Sequence, residues 1–285
     1  MLKISIIIPC FNQGHFINEA LDSVFKQTYT NWEIIIVNDG SDDGLTEQIL
    51  LDINGPKVKI IHIENSGLAT ARNIGISHSV GEYILPLDAD DKIHPLYLAK
   101  ALSIFEQNQA ISIVYSKAEY FGNKTGVFEL PDFDINVMLK QNLIFCSAIY
   151  SREMFNKVGG YNPNMKYGWE DWDLWLSFIE LDACIYKIDE TMFYYRKHES
   201  SMVEEISKNI SKRQYLEQQL VKNHIDLYFK YYTEPLSMLR ELDSFLSYKN
   251  SFEKWEKEIL KSYEFRLGKL LLIPFRNLYR LFNKK

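Results

Sequence analysis

The sequence is poor in cysteine, with only Cys10, Cys146 and Cys184 among 285 residues. The three lie far apart and form no C-x-x-C pair, so the spacing excludes a disulfide framework and a cysteine-based zinc site of the usual kind. A chain with so few cysteines fits a reducing compartment, and we expect a cytoplasmic protein.

Long apolar runs are also missing. The N-terminal segment MLKISIIIPC ends at a proline, and its apolar run is too short for the hydrophobic region of a signal peptide. No stretch approaches the roughly 20 apolar residues that span a bilayer. We therefore expect neither a cleaved leader nor a membrane-spanning helix.

Positive charge is scarce in the first 200 residues, which carry 16 Lys and Arg against 27 Asp and Glu. This acidic balance argues against nucleic-acid binding. Residues 201–285 carry 16 basic against 11 acidic side chains, and from Arg266 onward there are six basic residues and no acid. We expect the basic amphipathic tail at 266–285 either to bind an anionic membrane surface or to pack its apolar side on the main domain.

Short apolar runs alternate with helical patterns over the first 90 residues. The runs are nearly continuous in apolar residues, which is typical of strands covered by helices on both faces. These predicted strands are 3–8, 32–38, 57–63 and 83–88, and the helical patterns between them are 16–28, 44–53 and 68–79. The order predicts an α/β fold with a mostly parallel sheet.

Beyond the first 90 residues the pattern predicts a helix at 94–107, further strands at 111–121 and a helix at 169–182. From about residue 203 the pattern is helical throughout and more basic. We therefore expect a domain over 1–202 and a helical C-terminal extension over 203–285.

Four polar clusters follow the predicted strands. They are PCFNQG (9–14), NDGSDD (38–43), NSGLATARN (65–73) and DADD (88–91). Each one alone has an explanation in turn or helix-capping chemistry. Ligands of parallel sheets bind at the carboxyl ends of strands, and all four clusters fall on one such edge together with Arg72. Their joint occurrence predicts a binding site there.

The DADD cluster places like charges where they repel one another. In an extended chain, residues two apart point the same way, so Asp88 and Asp90 present oxygens to one side. A hard divalent cation, Mg²⁺ or Mn²⁺, would offset that repulsion. The alternative is that Asp91 caps the helix at 94–107 and the other carboxylates are simply solvated.

Five motifs, in this order and spacing, resemble those of the family 2 glycosyltransferases of the GT-A fold. They are SIIIPCFNQG, WEIIIVNDGSDDG, NSGLATARNIGI, GEYILPLDADD and GWEDWDLWL. The resemblance covers about residues 1–200. It implies the GT-A fold for that part of the chain, with the C-terminal helical extension outside the shared motifs.

The resemblance implies a nucleotide site at the carboxyl edge of the sheet. Asp39 would accept the imide N–H of uracil and so select the base. Arg72 would lie near the diphosphate, with a salt bridge to Asp88 as the alternative or additional role. The complete set of residues implied to bind the nucleotide is Pro9, Cys10, Phe11, Asn12, Asp39, Arg72, Asp88 and Ala89.

The resemblance also implies a metal and an acceptor side. Asp90 and His198 would ligate Mn²⁺ or Mg²⁺, although a histidine in such a segment is often an ordinary surface residue. Asp171 would be the catalytic base, and Glu170 and Trp169 would contact the acceptor or sugar. The alternative for the Glu170–Asp171 pair is plain helix-start chemistry, because carboxylates favour the N-terminal end of the helix dipole.

The expected function is an inverting, metal-dependent transfer of a sugar from a nucleotide-sugar, expected to be a UDP-sugar, to an acceptor hydroxyl. By resemblance, the acceptor is a saccharide or lipid-linked saccharide in surface polysaccharide or lipopolysaccharide synthesis, at the inner face of the plasma membrane. The alternative is a non-catalytic sugar-nucleotide-binding or scaffold subunit. A dinucleotide-binding dehydrogenase is excluded, because PCFNQG stands where a G-x-G-x-x-G turn would be required.

Overall fold

A computed structural model describes residues 2–198, 202–232 and 234–262. Strand and helix alternate in its first part. The elements are β1 (Ile4–Cys10), α1 (Gly14–Phe25), β2 (Trp32–Asp39), α2 (Thr46–Asp52), β3 (Val58–Ile63), α3 (Leu68–Ser77), β4 (Tyr83–Pro86), β5 (Lys92–Ile93) and α4 (Tyr97–Gln107). The alternation predicted from the apolar runs is therefore confirmed.

The second part mixes strands and helices and then becomes helical. Its elements are β6 (Ile111–Gly122), β7 (Gly126–Phe128), α5 (Ile135–Met138), β8 (Ile149–Ser151), α6 (Arg152–Val158), α7 (Glu170–Glu180), β9 (Cys184–Lys197), α8 (Met202–Lys208), α9 (Ile210–Asn223), α10 (Ile225–Tyr231) and α11 (Pro235–Lys261). The sequence analysis did not assign the long strand β9, which lies between β6 and the edge strand β5.

The described strands form a single sheet in the order β3-β2-β1-β4-β8-β6-β9-β5, with β7 paired to β6. Strands β3, β2, β1 and β4 are mutually parallel. Strand β8 runs antiparallel to both β4 and β6, and β9 returns parallel to β6. The parallel half brings the loops after β1, β2, β3 and β4 to one edge, where the sequence analysis expected a site.

Both faces of the parallel half are covered by helices. Ile4, Ile6 and Ile8 are fully buried in a core shared with α1 and α4. On the other face α3 packs so closely that a Cβ added at Gly75 would lie 2.5 Å from Cγ2 of Ile7. This two-sided burial explains why the strands lack an alternating polar pattern.

The C-terminal helices divide between two compact units. The first unit runs from Met1 to Tyr228, and the second begins at Phe229 and contains α11 among the described residues. Residues 202–228 therefore group with the sheet, whereas the sequence analysis placed its boundary at residue 202. The predicted amphipathic tail at 266–285 lies outside the described residues.

Among the helices that the structure describes, none has the length and apolar character needed to cross a membrane.

Candidate active site

The loop after β1 is tied to the loop after β2 by Asn12. Its backbone adopts a left-handed conformation, with φ of 56°. Its N–H donates to Ser41 Oγ at 3.0 Å, and its side chain donates to Asp42 Oδ1 at 2.7 Å and accepts from the N–H groups of Asp42 and Asp43. Two of the four polar clusters are thus joined through one side chain.

The other predicted base-binding residues of this loop differ in exposure. Pro9 and Cys10 are buried, and burial raises the pKa of the Cys10 thiol to about 11. Phe11 is 43% exposed. A ligand at this edge would therefore meet the Phe11 ring and the backbone of its buried neighbours.

Asp39 ends β2 and holds the start of α3. Its two carboxylate oxygens accept the N–H groups of Ser66, at 2.7 Å, and Gly67, at 3.0 Å. Burial raises the pKa of this carboxyl above its usual value. Each oxygen keeps a second lone pair, so recognition of a base by Asp39 stays a prediction, alongside the observed hydrogen bonds to the loop before α3.

Arg72 occupies the centre of the site and is completely buried. Its Nη2 donates to Asp88 Oδ1 at 2.6 Å, its Nη1 donates to Glu170 Oε1, and its guanidinium lies 5.5 Å from the ring of Tyr161. The two carboxylates raise the pKa of Arg72 well above its usual value, against the opposing effect of burial. The salt bridge to Asp88, which the sequence analysis held as an alternative, is present.

Glu170 is also buried, with 4% of its surface exposed. Within the described part of the chain, its Oε2 has no hydrogen-bond partner, and neither does Nε of Arg72. Burial raises the pKa of Glu170, and the Arg72 guanidinium counteracts that effect. Both side chains are enclosed by protein. Direct contacts of Arg72 with a diphosphate and of Glu170 with an acceptor stay predictions.

Asp171 follows Glu170 in the first turn of α7 but is partly exposed. Its Oδ2 accepts from Asn142 Nδ2 at 3.0 Å, and its Oδ1 accepts from the N–H of Trp172 at 2.8 Å. Burial, and next the negative charge of Glu170, raise the pKa of Asp171 to about 7. A carboxyl with a pKa near neutrality is suited to accept a proton from a substrate.

Trp169 precedes α7 in a left-handed conformation, with φ of 61°. Its ring meets that of Trp172 edge-on, with centroids 5.2 Å apart, and the residue is partly exposed. Strained backbone of this kind in non-glycine residues is concentrated at functional sites. The geometry leaves Trp169 accessible beside Asp171, while its contact with an acceptor or sugar stays a prediction.

Asp90 and His198, the predicted metal ligands, lie together at the other side of the edge. His198 Nε2 is 3.0 Å from Asp90 Oδ2. Burial and the charge of Asp88 raise the pKa of Asp90. This distance is that of a hydrogen bond. Carboxylate and imidazole are both groups that bind divalent metals, and ligation of one ion by the pair stays a prediction. Ala89, between the two aspartates, is fully buried.

A second grouping of possible metal ligands comprises Asp88, Asp91 and Cys146, whose ligand atoms lie within 4.8 Å of one another. Cys146 Sγ lies 3.4 Å from Asp88 Oδ2 in a hydrogen bond. The sequence analysis gave Cys146 no role, because nothing in its local sequence connects it with residue 88.

Arg196 is a further residue that the sequence analysis missed. Its Nε donates to the backbone carbonyl of Asp90 at 2.7 Å, and its own N–H donates to Asp91 Oδ1 at 2.8 Å. The guanidinium lies 4.4 Å from the ring of Phe16 and 4.3 Å from that of Phe121. Asp91 therefore binds β9 and does not cap α4, which was the alternative proposed for it.

A family model described as glycosyl transferase family 2 matches residues 5–161. An uncharacterized glycosyltransferase of Rickettsia typhi is 35% identical over 210 residues, which cover 69% of this chain and 64% of the relative. The UDP-Glc:alpha-D-GlcNAc-diphosphoundecaprenol beta-1,3-glucosyltransferase WfgD of Escherichia coli is 32% identical over 182 residues, covering 62% of this chain and 70% of WfgD.

Among the first curated relatives, the chain spans between 28% and 64% of their length.

Solved structures share the fold. TarS of S. aureus in complex with UDP-GlcNAc superposes with a TM-score of 0.59 at 19% identity, covering 83% of this chain and 76% of that one. Mannosyltransferase PcManGT from Pyrobaculum calidifontis, in complex with GDP-Man and Mn²⁺, gives 0.55 at 16% identity, covering 88% and 82%. The predicted GT-A fold is confirmed.

The buried ion pairs of Arg72 can be tested by unfolding. Arg72→Met should lower the free energy of unfolding by about 3 to 5 kcal/mol, because it leaves Glu170 buried without a countercharge. The double variant Arg72→Met/Glu170→Gln should recover part of that loss. Urea unfolding followed by circular dichroism measures both.

Acid should partly rescue the single variant. The lone Glu170 carboxyl would bind a proton more strongly in the folded than in the unfolded chain, so stability relative to wild type should rise as pH falls toward the ordinary pKa of a glutamate. An Arg72→Met protein as stable as wild type would show that Arg72 does not hold these carboxylates together.

Proposed function

The chain belongs to glycosyl transferase family 2, and from this premise we propose that it transfers a sugar from a nucleotide-sugar to an acceptor hydroxyl with inversion at the anomeric carbon. The observation that carries the proposal is that the carboxylates at the sheet edge have different partners and different exposure. Asp88 and Glu170 are both paired with Arg72. Asp171 is partly exposed, and its pKa of about 7 suits a general base.

An inverting displacement needs a base on the face of the sugar opposite the leaving diphosphate. In the proposed reaction Asp171 accepts the proton of the acceptor hydroxyl, and Asn142 orients its carboxylate through the hydrogen bond to Oδ2. Asp90 and His198 would hold Mn²⁺ or Mg²⁺, and a bound ion would stabilise the negative charge of the departing diphosphate. Arg72 holds Asp88 and Glu170 in place between the two sides.

The proposed donor is a UDP-sugar. Asp39 ends β2, and the exposed Phe11 follows β1, the strand paired with β2. This arrangement supports recognition of a uracil base by a carboxylate acceptor. The relative WfgD is named for UDP-Glc, and TarS was solved with UDP-GlcNAc. Both are consistent with a uridine nucleotide here.

A saccharide or lipid-linked saccharide is the proposed acceptor, by analogy with the diphosphoundecaprenol in the name of WfgD. Such an acceptor would place the protein in the cytoplasm, peripheral to the inner face of the plasma membrane. The alternative function, a non-catalytic nucleotide-sugar-binding or scaffold subunit, predicts binding without turnover. Release of UDP from a panel of UDP-sugars in the presence of Mn²⁺ and lipid-linked acceptors separates the two.

The base can be tested by substitution. Asp171→Asn should lower turnover by about 10²- to 10⁴-fold, the usual contribution of a general base, while the affinity for UDP stays near wild type. Asp182→Asn is the matched control, because it makes the same chemical change at an exposed residue just after α7. Wild-type turnover in Asp171→Asn, measured on an acceptor that the wild type uses, would remove Asp171 from this role.

The metal site can be tested without turnover. Asp90→Asn should weaken Mn²⁺ binding by at least about 10-fold, as seen by electron paramagnetic resonance, because a carboxylate ligand is lost. His198→Ala should weaken it in the same direction. Asp52→Asn, at an exposed residue of α2, removes the same charge elsewhere. Unchanged Mn²⁺ affinity in Asp90→Asn would show that the ion, if bound, is held by other residues.

The tail can be tested with vesicles. Full-length protein should sediment with vesicles rich in anionic lipid at low salt and be released by added salt, because six basic side chains accompany the apolar ones in residues 266–285. A chain ending at residue 265 should stay in the supernatant. If the full-length protein does not sediment with these vesicles, the tail packs on protein instead.

A further inference from the structure

The turn between α9 and α10 packs against α7, the helix that begins with Glu170 and Asp171. We call residues 223–228 the α9–α10 corner. Asn223 Nδ2 donates to Asp173 Oδ1 at 2.6 Å, and His224 Nε2 lies 3.2 Å from the same oxygen. The other ring nitrogen of His224 lies 3.0 Å from Glu180 Oε1. The corner therefore contacts α7 at both its first turn and its last residue.

These contacts are buried and charged. His224 and Asp173 are each only 2% exposed. The carboxylates of Asp173 and Glu180 raise the pKa of His224, against the opposing effect of burial. A protonated imidazole donates from both ring nitrogens, so His224 can hold two carboxylates of α7 at once. Breaking such a buried pair on one side is costly.

The same corner supports Asp171 by a second route. The hydroxyl of Tyr228 donates to the carbonyl of Leu139 at 2.8 Å, and Nε1 of Trp172 donates to the carbonyl of Met138 at 2.8 Å. Three residues after Leu139, Asn142 donates to Asp171. The segment 138–142 is thus held from one side by the corner and from the other by α7, with Asp171 at their junction.

We propose that the α9–α10 corner, through His224 and Tyr228, positions the Asp171 carboxylate. His224 fixes the first turn of α7, and Tyr228 fixes the segment that carries Asn142. The inference rests on the proposed function, in which Asp171 is the base. It extends the catalytic apparatus into α9 and α10, helices that follow β9 in the chain.

Two single-site variants test whether the corner positions the Asp171 carboxylate or only stabilises the fold. His224→Gln keeps a hydrogen-bonding group but loses the cation, and Tyr228→Phe removes one hydrogen bond with little change in volume. Phe105→Leu is the control. It removes part of a buried ring that stacks on Tyr83, and so lowers core packing without changing any contact of the corner. All three are compared at temperatures where each is fully folded.

The first readout needs no substrate. Carbon-13 NMR follows the titration of the Asp171 carboxyl, assigned by its loss in Asp171→Asn. In wild type and in Phe105→Leu it should titrate near pH 7. In His224→Gln and in Tyr228→Phe its pKa should fall toward the ordinary value, because a loosened first turn lets more water reach the carboxylate.

The second readout is turnover on the substrates that the wild type uses. His224→Gln should lower kcat by about 10- to 100-fold, the cost of a misplaced catalytic group, with unchanged affinity for UDP. An Asp171 titration identical to wild type in both variants would overturn the inference, as would wild-type kcat in both. If the wild type turns over no sugar nucleotide, the proposed function fails, and the Asp171 titration alone still decides whether the corner positions this carboxylate.

Discussion

The buried guanidinium of Arg72 is the interaction on which the rest of the site depends. It comes from α3, and it binds Asp88, which follows β4, and Glu170, which begins α7. An arginine cannot lose its charge to escape burial, so its carboxylate partners must stay close. One cation therefore fixes the relative positions of three segments that are far apart in the chain, and it does so without contacting solvent.

One cation and two carboxylates leave a net negative charge at the centre of the site, and the neighbouring acids respond to it. The pKa of Asp171 is raised to about 7 by burial, with Glu170 and Asp88 adding to the effect. On the other side, burial and Asp88 raise the pKa of Asp90, which lies beside His198. The same charge distribution thus raises the proton affinity of both carboxyls, in line with the proposed roles of Asp171 as a base and Asp90 as a cation ligand.

Much of the fold could be predicted because it depends on local patterns. Continuous apolar runs identified β1 to β4, and strand ends on one edge of a parallel sheet predicted where Asp39, Arg72 and the DADD cluster meet. Contacts between distant residues could not be predicted where no shared motif connects them. Arg72 and Glu170 are 98 positions apart, and a lone histidine such as His224 in a polar helical pattern gives no sign that two carboxylates enclose it. Arg196 was missed for the same reason, because its stacking partners Phe16 and Phe121 lie on other elements.

The most direct test of this charge distribution is the pH dependence of kcat in the wild-type protein, at saturating donor, acceptor and Mn²⁺. If Asp171 is the base and Arg72 neutralises its neighbours, kcat should rise with pH through an apparent pKa near 7, because only the ionised carboxylate can accept the acceptor's proton. A profile that is already flat above pH 5 would contradict the account, since it would mean that the base titrates as an ordinary, unperturbed carboxylate.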